Sequence, residues 1–351
     1  MNPRRAIIAT VLAAFQGERS TSAVLHLLNG KKSVQTIQDG AFFRVLRYFS
    51  LFPDLSRSAL EDEIRFLRDR GDVVRQGERV VVTRQGLEAI DEFHKQWRSL
   101  SYVDGWKYNK YMETVWLRLC LYLQALSYIV IEKRDFYPIT HRFDIQKWVK
   151  RNVPETSEKR KERLAQLYEE LYRFFSSCDE KEAFIVVHQF SGYNKVGLTR
   201  KQLADYLRID VETVYFLHLV TLHKLFFTLE KNASSYPLLA SFLEDLKEEI
   251  VLTDSAKKTW LMLRQGYSLK EISERRQLKE NTIEDHIVEI ALQSPNFSIR
   301  PFIDAEREQL ILDVYERLKT SRLRELKQHL PDDITYFMLR LVLAKKKVGE
   351  R

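Results

Sequence analysis

Six arginines, Arg65, Arg68, Arg70, Arg75, Arg79 and Arg84, fall within one short stretch, opposed there by Asp69, Asp72 and Glu78. A guanidinium is always charged and offers a planar fork of donors that suits phosphate oxygens. The stretch is therefore the leading candidate for contact with a nucleic-acid backbone. A solvated charged face held by internal ion pairs is the alternative that the spacing leaves open. Lys31 and Lys32 are secondary candidates, as are Lys345, Lys346 and Lys347, for which a frayed charged tail is the simpler reading. A second cluster has the opposite sign: Glu280, Glu284, Asp285 and Glu289 recur along one helical pattern. Such a face repels phosphate and suits a positively charged protein partner.

Catalytic chemistry finds little to work with. Asn29-Gly30-Lys31-Lys32-Ser33 has the look of a phosphate loop, but GxxxxGK[ST] would need Gly where Leu25 stands and a hydroxyl where Lys32 stands. No strand precedes it. His218 and His223 are five residues apart, a spacing that turns them away from one another on a helix and argues against a metal pair. HExxH and GxSxG are missing, and no paired carboxylates lie beside a base. The expectation is a non-enzymatic protein without metal or cofactor.

The elements that must carry these residues read as helices. Only 11 Gly and 8 Pro occur in 351 residues, and 44% of residues are hydrophobic, so the class expectation is mainly α with a globular core. Residues 20–95 fit a winged helix, with helical periodicity over Ser22–Leu28 and Ala41–Phe49. A third helix from Ser56 carries Leu60, Ile64 and Leu67 and stops at Gly71. DVVRQ and RVVVT around Gly77-Glu78 form a hairpin, the wing, and Thr83 caps a closing helix. The chain divides in expectation into a winged-helix domain (1–100), a helical middle domain (101–250) and a C-terminal helix-turn-helix domain (251–351).

In the middle domain, Thr199 and Asp210 cap the two helices of a second helix-turn-helix, Leu203, Ala204 and Leu207 face inward, and Ile209 fills the turn. Its second helix would present Glu212, Thr213, Tyr215 and His218. In the last block, Ser268 and Glu271 form a capping box, Ile272, Leu278 and Ile283 lie between two helices, and Asp332 or Asp333 opens a final helix.

Composition adds weaker constraints. The net charge of +8 is spread thinly over the three segments, permitting nucleic-acid contact without demanding it. Cys120 and Cys178, 58 positions apart in apolar patterns, read as buried thiols of a reducing cytosol. The basic, apolar start lacks a cleavage site, and Trp116–Ile131 is interrupted by Arg118 and Gln124 and is too short to span a bilayer. A cytoplasmic protein without membrane association is expected.

The last block also resembles the helix-turn-helix domain at the C-terminus of some bacterial RecQ-type helicases. The residues that carry the likeness are G-Y-S-L-K-E-I-S-E-R-R-Q-L-K-E-N-T-I-E-D-H-I (Gly266–Ile287), S-I-R-P-F-I-D (Ser298–Asp304) and I-T-Y-F-M-L-R-L-V (Ile334–Val342). As a whole the chain is similar to the YpbB family of bacterial proteins, which pair an N-terminal winged-helix region with this C-terminal unit. Members tend to be encoded beside a RecQ-type helicase, so the resemblance implies a helicase partner. The region around the wing also resembles the winged helix that follows the RecQ motor, whose wing can act as a strand-separating pin with an aromatic tip. Gly77-Glu78 supplies no aromatic, and the pin role does not carry over. The expected function is thus a DNA-associated adaptor or accessory for a RecQ-type helicase, in DNA repair or related transactions. A site-specific transcription regulator and a scaffold without DNA are the alternatives.

Overall fold

The computed structural model describes residues 1–77, 79–133, 135–246, 251–294, 296–318, 320 and 323–349, the last three as backbone only. The expected tip residue Glu78 and the side chain of Lys347 lie outside the described residues. In chain order the helices begin with α1 (Pro3–Phe15), α2 (Thr21–Leu28), α3 (Val34–Phe42) and α4 (Arg57–Asp69). The hairpin β1 (Val73–Gln76) and β2 (Arg79–Val82) leads into α5 (Arg84–Gln96) and α6 (Gly105–Ile129). Then come α7 (Phe143–Asn152), α8 (Ser157–Phe175), α9 (Glu180–Val187), α10 (Arg200–Leu207), α11 (Val211–Lys231) and α12 (Pro237–Ser241). The remainder is α13 (Asp254–Arg264), α14 (Leu269–Arg276), α15 (Glu280–Gln293), α16 (Ala305–Leu318), α17 (Leu323–Lys327) and α18 (Tyr336–Gly349). Among the described residues the fold is mainly α with one two-stranded antiparallel sheet. No described helix is long and apolar enough to cross a membrane.

By packing the chain forms two compact units. One unit comprises residues 1–17 and 58–247, the other residues 18–57 and 248–351. In the first, α1 packs on α5, β2 and α11, while α6, α7, α8, α11 and α12 enclose an aromatic core that includes Tyr122, Phe174, Phe226 and Phe242. A smaller core of Ile185, Leu203, Ala204, Val214 and Leu217 holds α9, α10 and α11 together. The helix α11 is buried over most of its length, against the usual one-sided burial of an amphipathic surface helix.

In the second unit α15 is the central helix, packed on α13, α14, α18 and also α3. The α3 stripe thus covers the C-terminal helices α15 and α18, and α2 packs on α3. The Ala41–Phe49 helix is also redrawn: α3 ends at Phe42, Arg44 takes a left-handed backbone (φ 57°), and a single 3-10 turn spans Leu46–Tyr48. Ile37 and Ala41 are buried, and the buried Asp39 carboxylate accepts from Arg19 Nε at 2.8 Å. Gly40 permits this packing, because a Cβ there would come within 2.9 Å of Leu46 Cδ1.

It follows that residues 251–351 alone leave one face of α15 uncovered. A fragment of those residues is expected to melt without a sharp cooperative transition, and linking residues 18–57 to it to restore one. Equal melting of the two by differential scanning calorimetry would show that α3 adds nothing to this core.

Candidate nucleic-acid interface

The arginine stretch is positioned by a compact junction. Leu60, Ile64 and Leu67 bury one stripe of α4, and Gly71 ends it in a left-handed turn at φ 81°. Asp72 follows, fully buried, its carboxylate 3.1 Å from Arg70 Nε and accepting from Gln85 Nε2 at 3.3 Å. Its carbonyl accepts from Thr83 N at 2.9 Å and Thr83 Oγ1 at 3.1 Å. Thr83 caps α5 as expected, its Oγ1 accepting from Gly86 N at 3.1 Å. A Cβ at Gly86 would collide with the Asp72 carbonyl and with Val82, so only glycine lets α5 lie this close to the hairpin base.

The hairpin pairs Val73 with Val82, Arg75 with Val80 and Gln76 with Arg79. Paired residues share a face and neighbours alternate, so Arg75 joins Val73 and Val80 on one face and Arg79 stands on the other. Val73 and Val80 are buried, and the face they share with Arg75 looks onto α4. Between that face and α4 lies a groove of about 240 Å³ lined by Arg65, Arg68 and Arg75, with Glu61 and the apolar floor of Ile64, Val73 and Val80. Arg75 Nη2 donates to Glu61 Oε2 at 3.0 Å, Arg65 pairs with Asp62 at 3.2 Å and Arg68 with Asp69 at 2.9 Å. All three arginine side chains are more than half exposed. Ion pairs of that kind contribute about 0–1 kcal/mol each, so a phosphate can displace them.

The other candidates do not converge here. Arg70 is committed to Asp72, and Arg84 pairs with Glu88 one turn along α5. Arg79 is exposed on the opposite hairpin face. Lys31 and Lys32 follow α2 in the other unit, where Lys31 Nζ lies 3.4 Å from His26 Nε2. Lys346 pairs with Glu316 and lies 4.8 Å over the Tyr315 ring, which fixes it on α16 rather than in a frayed tail.

Both helix-turn-helix units have the expected local geometry and an unexpected burial. Thr199 and Gln202 form a capping box and Asp210 caps α11, accepting from Thr213 N at 2.7 Å. Yet Glu212 is paired with Arg4 of α1, Phe216 packs 5.5 Å from Trp97, and His218 is buried edge-on to Trp116 at 4.7 Å. Burial pushes the His218 pKa down to about 3. His218 is therefore a packing residue and not part of an outward face. His223 is likewise buried, its Nε2 2.9 Å from Asn109 Oδ1.

In the C-terminal unit, Ser268 and Glu271 form the expected capping box, and Ile272 and Ile283 are fully buried. Leu278 is only half-buried at the turn, where its carbonyl accepts from Ser273 Oγ at 2.6 Å. Thr335, rather than Asp332 or Asp333, accepts from the first turn of α18 through Met338 N at 3.2 Å. The acidic face is partly enclosed, with only Glu289 of its four carboxylates buried. Glu289 is 1% exposed and accepts from Thr253 N at 2.6 Å and Thr253 Oγ1 at 2.9 Å. Burial raises its pKa above the usual carboxylate value. Arg340 of α18 pairs with Asp285 and lies 3.9 Å from Glu284. Of the four carboxylates only Glu280 stands fully exposed.

Residues 255–343, from α13 into α18, match a helix-turn-helix domain family. Over 342 residues the chain is 31% identical to Protein YpbB of Bacillus subtilis (strain 168), covering 97% of this chain and 96% of that one. The chain belongs to the YpbB family. No solved structure matches it. In this YpbB-family chain the matched segment is one part of a unit that residues 18–57 complete. Among the described residues no group of three or more His, Cys, Asp or Glu could hold a metal ion. Cys120 and Cys178 are free thiols, the first buried and the second half-buried, and burial raises both pKa values.

Sequence reasoning missed Glu61 and Arg340. The second had a signal, a lone cation in the apolar run of Tyr336 to Ala344, where an unpaired charge would be costly to bury. Replacing Glu284 by Gln and Asp285 by Asn strands Arg340, and the double variant is expected to lose about 1–3 kcal/mol of stability in urea titration. Unchanged stability would return these carboxylates to the free surface.

His286 gives a pH prediction. Its Nδ1 lies 3.0 Å from Thr259 Oγ1, and burial, then the Arg276 charge, push its pKa from 6.5 down to about 4. The unfolded chain then binds the proton that the folded chain refuses, so this contribution is complete above about pH 6.5 and is lost as pH falls toward 4. Melting temperatures measured from pH 7 to pH 4 are expected to fall less steeply in His286→Gln than in the parent. Identical slopes would remove His286 from the acid response.

Proposed function

We propose that this protein is a non-enzymatic, DNA-associated adaptor that holds the nucleic-acid backbone in the groove between α4 and the hairpin. The observation that carries the reading is the convergence of Arg65, Arg68 and Arg75 on one open groove. Guanidinium groups there can neutralise successive phosphates without reading bases. Burial of α11 supports the same view for the second helix-turn-helix, because a helix that reads bases must offer a free face to the major groove. That argues against the site-specific regulator. The α10–α11 unit then serves as a packing module. The likeness of Gly266–Ile287 and its flanking segments to RecQ-type helicases supports a helicase of that type as the partner.

Titrating the full chain with random duplexes across a salt series tests the grip. Changing Arg65, Arg68 and Arg75 together to Ala is expected to weaken binding on every sequence and flatten the salt slope by about 2.7 units, at about 0.9 per phosphate contact. Arg79→Ala, on the opposite hairpin face, is expected to leave the slope in place. A triple variant with the parent slope would remove DNA from this groove. Failure of the full chain to bind a RecQ-type helicase from the same cell, by sedimentation of the purified pair, would remove the adaptor.

A further inference from the structure

A second groove lies elsewhere in the same unit, along the outer side of α8. It encloses about 670 Å³ and is apolar almost throughout. Leu123 of α6 and Val130 just past its end form one wall, and Leu171, Phe175 and Phe190 contribute to the floor. Lys161 and Phe175 of its lining are fourteen residues apart on one helix, so the groove follows α8 for about 21 Å at 1.5 Å per residue.

Three features define what would fill it. Tyr168 and Tyr172 stand on its rim, 61% and 62% exposed, with their rings stacked at 5.9 Å. Large aromatics held against each other lose little freedom on binding and serve as anchors at protein interfaces. The groove is about half open to solvent, so an occupant keeps an exposed side, whereas a small-molecule pocket encloses most of its ligand. Its walls are helices whose backbone groups are already paired, which excludes strand addition and leaves a helix with an apolar stripe as the fitting shape. Lys161 is the one charged residue lining the groove, and it has no ion-pair partner among the described residues.

We infer that this groove receives an amphipathic helix of a partner protein, with an apolar stripe of about four turns and a carboxylate at the end that meets Lys161. Leu, Ile or Phe at i, i+3, i+4 and i+7 of that helix would lie between α6 and α8 against the tyrosine rim. The acidic residue fixes its direction, because reversal would place the carboxylate over the apolar floor at Phe175. None of these residues lines the arginine groove, so the inference stands or falls apart from DNA binding.

The test is a displayed library of helical peptides, with Leu, Ile or Phe fixed at that spacing and all other positions randomised, selected on the full chain. Enriched peptides are expected to carry Asp or Glu at one end and to bind at least tenfold more weakly to the Tyr168→Ser, Tyr172→Ser double variant. Because both tyrosines are mostly exposed, the variant should keep the parent's melting temperature, which is measured alongside. Selection on Lys161→Glu is expected to exchange the acidic end for Lys or Arg. Failure to enrich any peptide, enrichment indifferent to the tyrosines, or the same end charge on both chains would each overturn the inference. So would a homodimer, seen by sedimentation of the parent, that dissociates in the tyrosine variant, since the groove's occupant would then be a second copy.

Discussion

Asp72 is the point on which the arginine groove depends. Its carboxylate meets Arg70 and Gln85, and its carbonyl takes both the amide and the hydroxyl of Thr83. A buried carboxylate is tolerated only when its partners are in place. Here those partners come from the end of α4 and the start of α5, so one side chain ties both helices to the base of the hairpin. The bare Cα of Gly86 lets the closing helix reach this junction. With α4 and the hairpin held in that relation, Arg65, Arg68 and Arg75 share a groove whose shape belongs to the fold rather than to the flexible ends of the side chains.

Burial separates the two helix-turn-helix units. A base-reading helix needs a free, donor-rich face. In α11 that face is taken by Arg4, Trp97 and Trp116, whereas in α15 Thr253 and Arg340 hold Glu289 and Asp285 and leave Lys279, Glu280 and Asn281 exposed. The capping boxes at Thr199 and Ser268 show that the local geometry of the motif is intact.

The sequence was most legible where a structural signal is local. Thr83, Thr199, Asp210 and Ser268 cap helices because a side-chain oxygen reaches an amide two or three residues on, and nothing distant can alter that arithmetic. The opposite placement of Arg75 and Arg79 was also available, since across a two-residue turn Gln76 faces Arg79 and the residue before it must alternate away. The destination of α2 and α3 was not available. An apolar stripe such as that of Val24, Leu27 and Leu28 states that a face is buried and carries no address for its partner. The partner of Asp285 was equally out of reach, because Arg340 stands 55 residues away.

The discontinuous second unit sets an order of events during synthesis. Residues 18–57 leave the ribosome early, and their partners in α13–α18 follow only after residues 58–247 have been made. At about 5–20 residues per second those 190 residues take about 10–40 s. Throughout that interval Ile37 and Ala41 have no α15 to cover them. The first unit must fold around a chain whose early segment is still waiting, and nascent chains of this protein are correspondingly natural clients for chaperones that hold exposed apolar helices.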